Sequence, residues 1–443
     1  MWFVLRNLKT SISKTVLGRF GRDYIDVKKS WVLYDVANSA FVLLVTSVVP
    51  IYFHQIAENG GLSESDYLSY WSAAISIVTL LLLFVGPLSG ALSDKKGWRK
   101  PILMILVAIG AITCFILGFV EMWLLFLVIL SIGKIVYNAS LVVYDGMLID
   151  VAENEEMDML SAKGYSWGYI GSCIPFAMCL VVVVMSDFVD FMDDPILTAK
   201  EAMIISLVIT GVWWVLMSTP LFKNYEQRYY RGFKFSNSSE ELVKIKGTLR
   251  NILENKAMLF FMIAFFFYID GVNTIIEIAI AFGETLDLGS VGLLAAMLLM
   301  QLVAFPCTIL MGKLADRYGT HRIIILSICG YVCISVYAMF IVNITQFYIL
   351  AVAVGFFQGT IQALSRSYFG RMVPKDRTGE YFGILDIFGK GSTIIGTGVI
   401  AILSSLIDDS YIVPKVLLAL FGIGLLFFLL STRHHVYDVS PSK

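Results

Sequence analysis

Two stretches decide how this chain is read: Gly90–Lys100, GALSDKKGWRK, and Gly312–Arg322, GKLADRYGTHR. Each lies between long apolar runs, and each reads Gly-x-Leu-small-Asp-basic-x-Gly before a basic cluster. Gly90 and Gly312 allow two helices to approach closely, and Gly97 and Gly319 permit a tight turn. Asp94 and Asp316 are acceptors suited to the N-terminus of a neighbouring helix. Arg99 and Arg317, with the other bases of each turn, favour the cytoplasmic lipid surface. Gly312 follows Gly90 by about half of the 443 residues. One basic turn between membrane helices is unremarkable; two at that interval predict a duplicated unit.

The paired turns resemble the loops between helices 2 and 3, and between helices 8 and 9, of major facilitator superfamily transporters. That resemblance implies an all-α membrane protein of twelve transmembrane helices in two pseudo-symmetric six-helix bundles. It also assigns Gly90, Asp94, Arg99, Gly312, Asp316 and Arg317 to gating.

Composition agrees. The chain is 58% hydrophobic and 15% charged, whereas soluble domains run near 45–50% and 25%. A net charge of −1 argues against a nucleic-acid partner. The six cysteines fall inside apolar runs and the four histidines are scattered, so no metal site, disulfide framework or cofactor is expected. There is no phosphate-binding GxxxxGK[ST] loop and no nucleophile–base set; an enzyme is not expected.

Residues 1–30 lack a signal-peptide pattern. Trp2, Leu5, Leu8, Ile12 and Val16 alternate with bases as in an interfacial amphipathic helix; a basic tail is the other reading. About 20 residues of helix span the hydrocarbon core, and hydropathy places twelve such runs at 31–55, 68–92, 101–120, 122–148, 163–186, 202–222, 257–282, 289–314, 322–343, 346–371, 380–406 and 411–431. Acids dominate the loops at 56–67, 187–201, 283–288 and 406–410, and bases dominate the other side. Both termini are therefore expected in the cytoplasm of a cell with the chain in its inner or plasma membrane. The expected units are a 1–30 N-terminal segment, bundles at 31–222 and 257–431, a 223–256 linker and a 432–443 tail.

A narrower resemblance rests on Ser30–Phe41 (SWVLYDVANSAF), Gly164–Gly171 (GYSWGYIG), Tyr268–Ile275 (YIDGVNTI) and Gln358–Gly383 (QGTIQALSRSYFGRMVPKDRTGEYFG). These are similar to the vacuole-effluxer-like branch of the superfamily, in its compact prokaryotic form. The resemblance implies efflux of a small polar metabolite, an amino acid by analogy with the fungal members.

Charges inside membrane helices are costly and point to function. Lys134 lies about 18 Å into helix 4 and Lys390 about 15 Å into helix 11 at 1.5 Å per residue. Each can hold an anionic substrate group or brace helices against a nearby Asp. Tyr137 and Asn138 share the Lys134 segment. Asp35 and Asn38 share a D-x-x-N spacing with Asp270 and Asn273, acceptor and amide on one helical face. Asp35, Asp270 and Glu277 are candidates for proton coupling, since burial raises a carboxyl pKa; pairing with a lysine is the alternative. Gln358, Gln362 and Arg366 form a polar stripe at every fourth residue, which must face protein or water. The two glutamines suit substrate, and Arg366 suits the gate, with Asp94 or Asp150 as partner. Gly164 with Gly168, and Gly379 with Gly383, predict close helix contacts across the halves.

The expectation is a monomeric secondary transporter working by alternating access, with a small-molecule substrate, protons as possible partners and lipid around it. Two alternatives are an exporter of amphipathic drugs or lipids on the same fold, and a transporter-like receptor or scaffold.

Overall fold

The structure is a computed structural model and describes residues 19–187, 196–232, 247–284, 290–406 and 411–438. The amphipathic pattern proposed for the first eighteen residues, and the middle of the linker, lie outside the described residues. Among these residues run twelve long helices: α1 (Arg19–Asn59), α2 (Glu64–Ser93), α3 (Arg99–Leu117), α4 (Trp123–Val151), α5 (Met157–Val184), α6 (Ala199–Asn224), α7 (Lys256–Glu284), α8 (Ser290–Tyr318), α9 (Thr320–Ala338), α10 (Ile344–Met372), α11 (Thr378–Leu406) and α12 (Ile412–Asp438). Every expected span is present. Eleven are long and apolar enough to cross a membrane; α11 carries Glu380, Asp386 and Lys390 in its first half. Helix is the form a spanning segment takes, because it satisfies each backbone N–H and C=O within itself.

The chain-order ends are set by ordinary chemistry. Ser63 caps α2 through the N–H of Asp66, and Thr198 with Glu201 forms a capping box on α6. Gly97 and Gly319 turn the chain at φ 75° and 95°, the conformation both positions were expected to need.

The first bundle packs around fully buried Trp31, Tyr34, Phe53, Phe126 and Trp214, the second around Phe261, Tyr268, Tyr331 and Phe369. Large apolar side chains stay outside, among them Phe84 at 70% and Phe340 at 68% exposure. On a soluble protein such a girdle would be an aggregation surface; around this one it is the lipid contact.

The bundles meet along α2 with α11 and along α5 with α8 and α10. At α2 and α11 the backbones touch. A Cβ on Gly90 would collide with the carbonyl of Gly379, and one on Gly383 would lie 2.6 Å from the Cα of Pro87. Gly168 seats α5 on α1, against Asp35 and Ser39, inside one bundle, whereas Gly164 meets both Asp35 and Trp31 of α1 and Arg366 of α10 across the halves.

Candidate functional site

One face of the molecule carries the basic turns, and there the halves are stitched together. Asp94, just past the end of α2, accepts from the backbone N–H of Gly379 (2.9 Å) and Glu380 (2.9 Å). It therefore caps α11, where the helix dipole favours a negative charge. Arg99, fully buried, donates to Asp94, to Asp150 (2.7 Å), to the carbonyl of Gly146 (3.1 Å) and to Thr378 Oγ1 (2.9 Å). Burial lifts the Asp94 carboxyl to about 6, while the Arg99 guanidinium and the two capping N–H groups pull it the other way. The linker joins this knot. Arg231 donates its N–H to the Asp94 carbonyl at 2.7 Å and its guanidinium to Glu380 at 3.0 Å. Tyr225 donates to Asp150, and the N–H of Gly97 to Gln227 Oε1 at 2.8 Å.

The second basic turn is not a copy of this. Asp316 and Arg317 are exposed, and Arg317 lies against Tyr318, 5.3 Å from its ring centre. Among the described residues Asp316 accepts no hydrogen bond from the N-terminus of a neighbouring helix, and the acid that joins the bundles here is Asp158, in the first turn of α5. Asp158 accepts from Thr320, from Ser367 and from Arg371 (2.8 Å). Gly312 does serve the expected close approach, against Ala162 of α5. The acidic run after α4 also makes ion pairs: Glu156 with Lys28 (2.6 Å) and Glu153 with Arg228 (3.5 Å).

A turn or two deeper, Arg366 of α10 crosses into the first bundle. Its partners are not Asp94 or Asp150, the acids expected for it. It donates to Asp145 Oδ1 on α4 (3.0 Å), to Asp35 Oδ2 on α1 (3.3 Å), and to Ser161 Oγ on α5 (2.9 Å). The guanidinium lies 4.6 Å from the Trp31 ring centre and 4.4 Å from that of Tyr165, a cation–π cage. Tyr144 donates to Asp35 Oδ2 at 2.8 Å. The small residues Gly164 and Ser161 make room for this arginine; a Cβ at Gly164 would meet Asp35 and Arg366.

Deeper again is a polar group of neutral residues. Tyr169 of α5 donates to Gln362 Oε1 at 2.7 Å, and Gln358 lies buried one turn earlier on α10. The Gln358 carbonyl oxygen is buried with no hydrogen-bond partner among the described residues, a condition that costs free energy until a donor arrives. Ser166 donates to the carbonyl of Phe305 (2.6 Å) and Ser161 to that of Ala363 (2.7 Å).

The remaining candidates are dispersed. Lys390 pairs with Asp386 one turn earlier on α11, the bracing alternative. Lys134 lines a small cleft between α2 and α4 with Trp71 and Ser131. Tyr137 is committed to the first bundle's interior, against Phe41 (5.1 Å) and Trp214 (5.9 Å), and Asn138 donates to the Lys134 carbonyl. Asp270 is buried, accepting from Thr274, and Gly396 packs on its carboxyl. Asn273 donates to the Gly389 carbonyl at 3.3 Å. The side chain of Glu277 lies outside the described residues. Sequence reasoning singled out neither Tyr165 and Tyr169 nor Ser161. The only signal for them was that small and aromatic residues alternate along GYSWGYIG.

Among the described residues, the recorded side-chain bonds between the two bundles lie at the basic face or reach the middle of the helices. The halves are thus held against each other at the basic face.

Comparison with known proteins accords with that architecture. Residues 26–436 match the family model described as vacuole effluxer Atg22 like. An uncharacterized MFS-type transporter, YxiO of Bacillus subtilis, is 35% identical over 94% of this chain and 97% of its own. Autophagy-related protein 22 of Kluyveromyces lactis is 22% identical over 85% and 87%. The human organic anion transporter MFSD10 superposes at a TM-score of 0.68 with 14% identity, over 93% of this chain and 99% of its own. The Escherichia coli fucose:proton symporter FucP does so at 0.67 with 14% identity, over 93% and 98%. A match across nearly the whole chain, with a relative above 30% identity, settles the lineage: this protein belongs to the Atg22-like vacuole-effluxer family of membrane transporters of the MFS type.

Proposed function

We propose that this transporter exports a small polar metabolite, an amino acid in the first instance, by alternating access, with the movement of protons as a coupling reaction. The observation that supports this reading is the buried polar seam on α5 and α10. Gln358 keeps an acceptor without a donor, beside Tyr169 and Gln362, and one level below stands the Arg366 cage. A substrate bearing an ammonium and a carboxylate has a use for both an amide acceptor and a caged cation. Gln358, Gln362 and Tyr169 are the proposed substrate contacts. Asn273 and Lys390 stand at the second bundle's side of the path, and Lys134 at the first bundle's outer cleft. The Asp94–Arg99 knot and the Asp158–Arg371 cluster are the proposed gate.

In this reading residues 31–222 and 257–431 are the two rocking bodies, joined by the 223–256 linker. The basic face is cytoplasmic in the plasma membrane, both termini lie there, and the working unit is a monomer.

The test is a thermal-shift screen of purified protein against amino acids, dipeptides, sugars and amphipathic cations, followed by flux of the best hit in proteoliposomes. Stabilisation by a polar zwitterion that is lost in Gln358→Ala and Gln362→Ala is expected. If amphipaths alone stabilise the protein, the substrate class is wrong. If a ligand binds yet no gradient drives flux, the transport reading falls.

A further inference from the structure

Around Arg366 the charges do not balance. One guanidinium faces two carboxylates, Asp35 and Asp145. Lys390 adds nothing to the sum, because Asp386 already neutralises it. Arg99, the nearest base on α3, bonds the Gly146 carbonyl, but its charge is held by Asp94 and Asp150. From α5 the cluster is faced by Tyr165, and from α4 by Tyr144. With every acid ionised the cluster carries one uncompensated negative charge in a place where Arg366 is only 5% exposed. Uncompensated buried charge is expensive, and a bound proton removes it.

The hydrogen bonds single out the acid. Oδ2 of Asp35 accepts from two donors, Tyr144 at 2.8 Å and Arg366 at 3.3 Å, which favours its charged form. Asp145 accepts one recorded bond, from Arg366 to Oδ1, so its other oxygen is available to carry hydrogen. Its side chain is 27% exposed, against 9% for Asp35, so it is also the acid that solvent can reach.

We propose that Asp145 is the proton-binding carboxyl of this transporter, protonated in the form closed at the basic face, with Asp35 the charged counter-ion of Arg366 in that form. This rests on the proton-coupled reading above and relocates its acid from the expected Asp35, Asp270 and Glu277 to α4. The arrangement also ties the proton to the halves. Arg366 belongs to the second bundle and both acids to the first, so separating the bundles leaves two carboxylates without their cation. Like charges left together bind protons more tightly. The opened form therefore takes up protons at a pH where the closed form holds one.

Infrared difference spectroscopy of the purified protein in lipid nanodiscs, titrated from pH 5 to pH 9, tests this without a substrate. The wild type is expected to show a carboxylic C=O band that disappears with rising pH. Asp145→Asn should remove that band and Asp145→Glu should keep it, displaced in frequency. Asp35→Asn, which leaves one acid to one base, should shift the midpoint down by about 1–3 pH units. A band that persists unchanged in Asp145→Asn, or that is removed only by Asp35→Asn or Asp270→Asn, overturns the assignment. Proteoliposome flux separates the two levels of claim. A band behaving as expected without proton movement during substrate flux removes the coupling reading and leaves Asp145 as the proton site.

Discussion

The two basic turns began as near-copies in sequence and end as different machines. In the first, Asp94 and Arg99 are fully buried, and the acid caps a helix of the other bundle. In the second, Asp316 and Arg317 lie in the open, and Asp158 with Arg371 does the work between bundles. What duplication preserved is the turn itself, with its positive-φ glycine in each copy. What diverged is the owner of the acid. The α11 backbone N–H groups of Gly379 and Glu380 bond Asp94 of the other bundle, although α11 carries Glu380 in its own first turn; the first-turn acid of α5, Asp158, instead accepts from Thr320, Ser367 and Arg371 of the second bundle.

The sharpest way to break this contrast is to remove the two arginines. Arg99→Ala leaves Asp94 and Asp150 buried without their cation, and is expected to cost about 3–5 kcal/mol, read as a large fall in thermal midpoint or loss of monodisperse protein. Arg317→Ala should stay within about 0.5 kcal/mol. Equal losses would mean the turns are equivalent after all. Next in size is the acid of the second seam. Asp158→Asn weakens the bonds from Arg371, Thr320 and Ser367, and should cost about 1–3 kcal/mol. Asp316→Asn should be close to neutral, and the reverse order would return the capping role to Asp316.

A third comparison uses the glycine contact between α2 and α11. Gly90→Val should prevent closure at the basic face, read as labelling of a cysteine introduced at Lys95, whereas Gly398→Val, with open space around its Cβ position, should leave labelling unchanged. The smallest effect is pH dependence at Asp94. Its carboxyl is held above the ordinary value, at about 6 in the closed form, so the closed form binds the proton more tightly than a solvated carboxyl near 4 does. The contribution is fully present below about pH 4 and is lost as pH rises through about 6. Thermal midpoints should therefore show a slope in that window that flattens in Asp94→Asn and survives in Asp316→Asn.

The fold was legible because length and apolarity decide it: every expected span is a helix, although α1 begins at Arg19, upstream of the apolar run. Hydropathy cannot see that charged residues such as Lys28 continue a helix when they pair across the bundle. Asp94 was legible too, from its place between a helix end and a basic cluster. The Arg366 cage was not. Its acids stand 221 and 331 residues away in the chain, and its aromatic walls come from three helices. Spacing along α10 revealed a polar stripe but not what the stripe would meet. Lys390 was half legible, because Asp386 one turn away is visible in the sequence, while the depth at which they sit decided nothing about substrate.

The Asp94–Arg99 knot also records the order in which the polypeptide is made. Asp94 and Arg99 leave the ribosome together, Asp150 follows when α4 is complete, and Arg231 only with the linker. The N–H groups of Gly379 and Glu380 arrive near the end of synthesis. Until then a buried-to-be carboxylate has no helix to cap. A nascent or truncated chain lacking α11 thus holds Asp94 by Arg99 alone, without the two backbone N–H groups that complete its bonding in the finished protein.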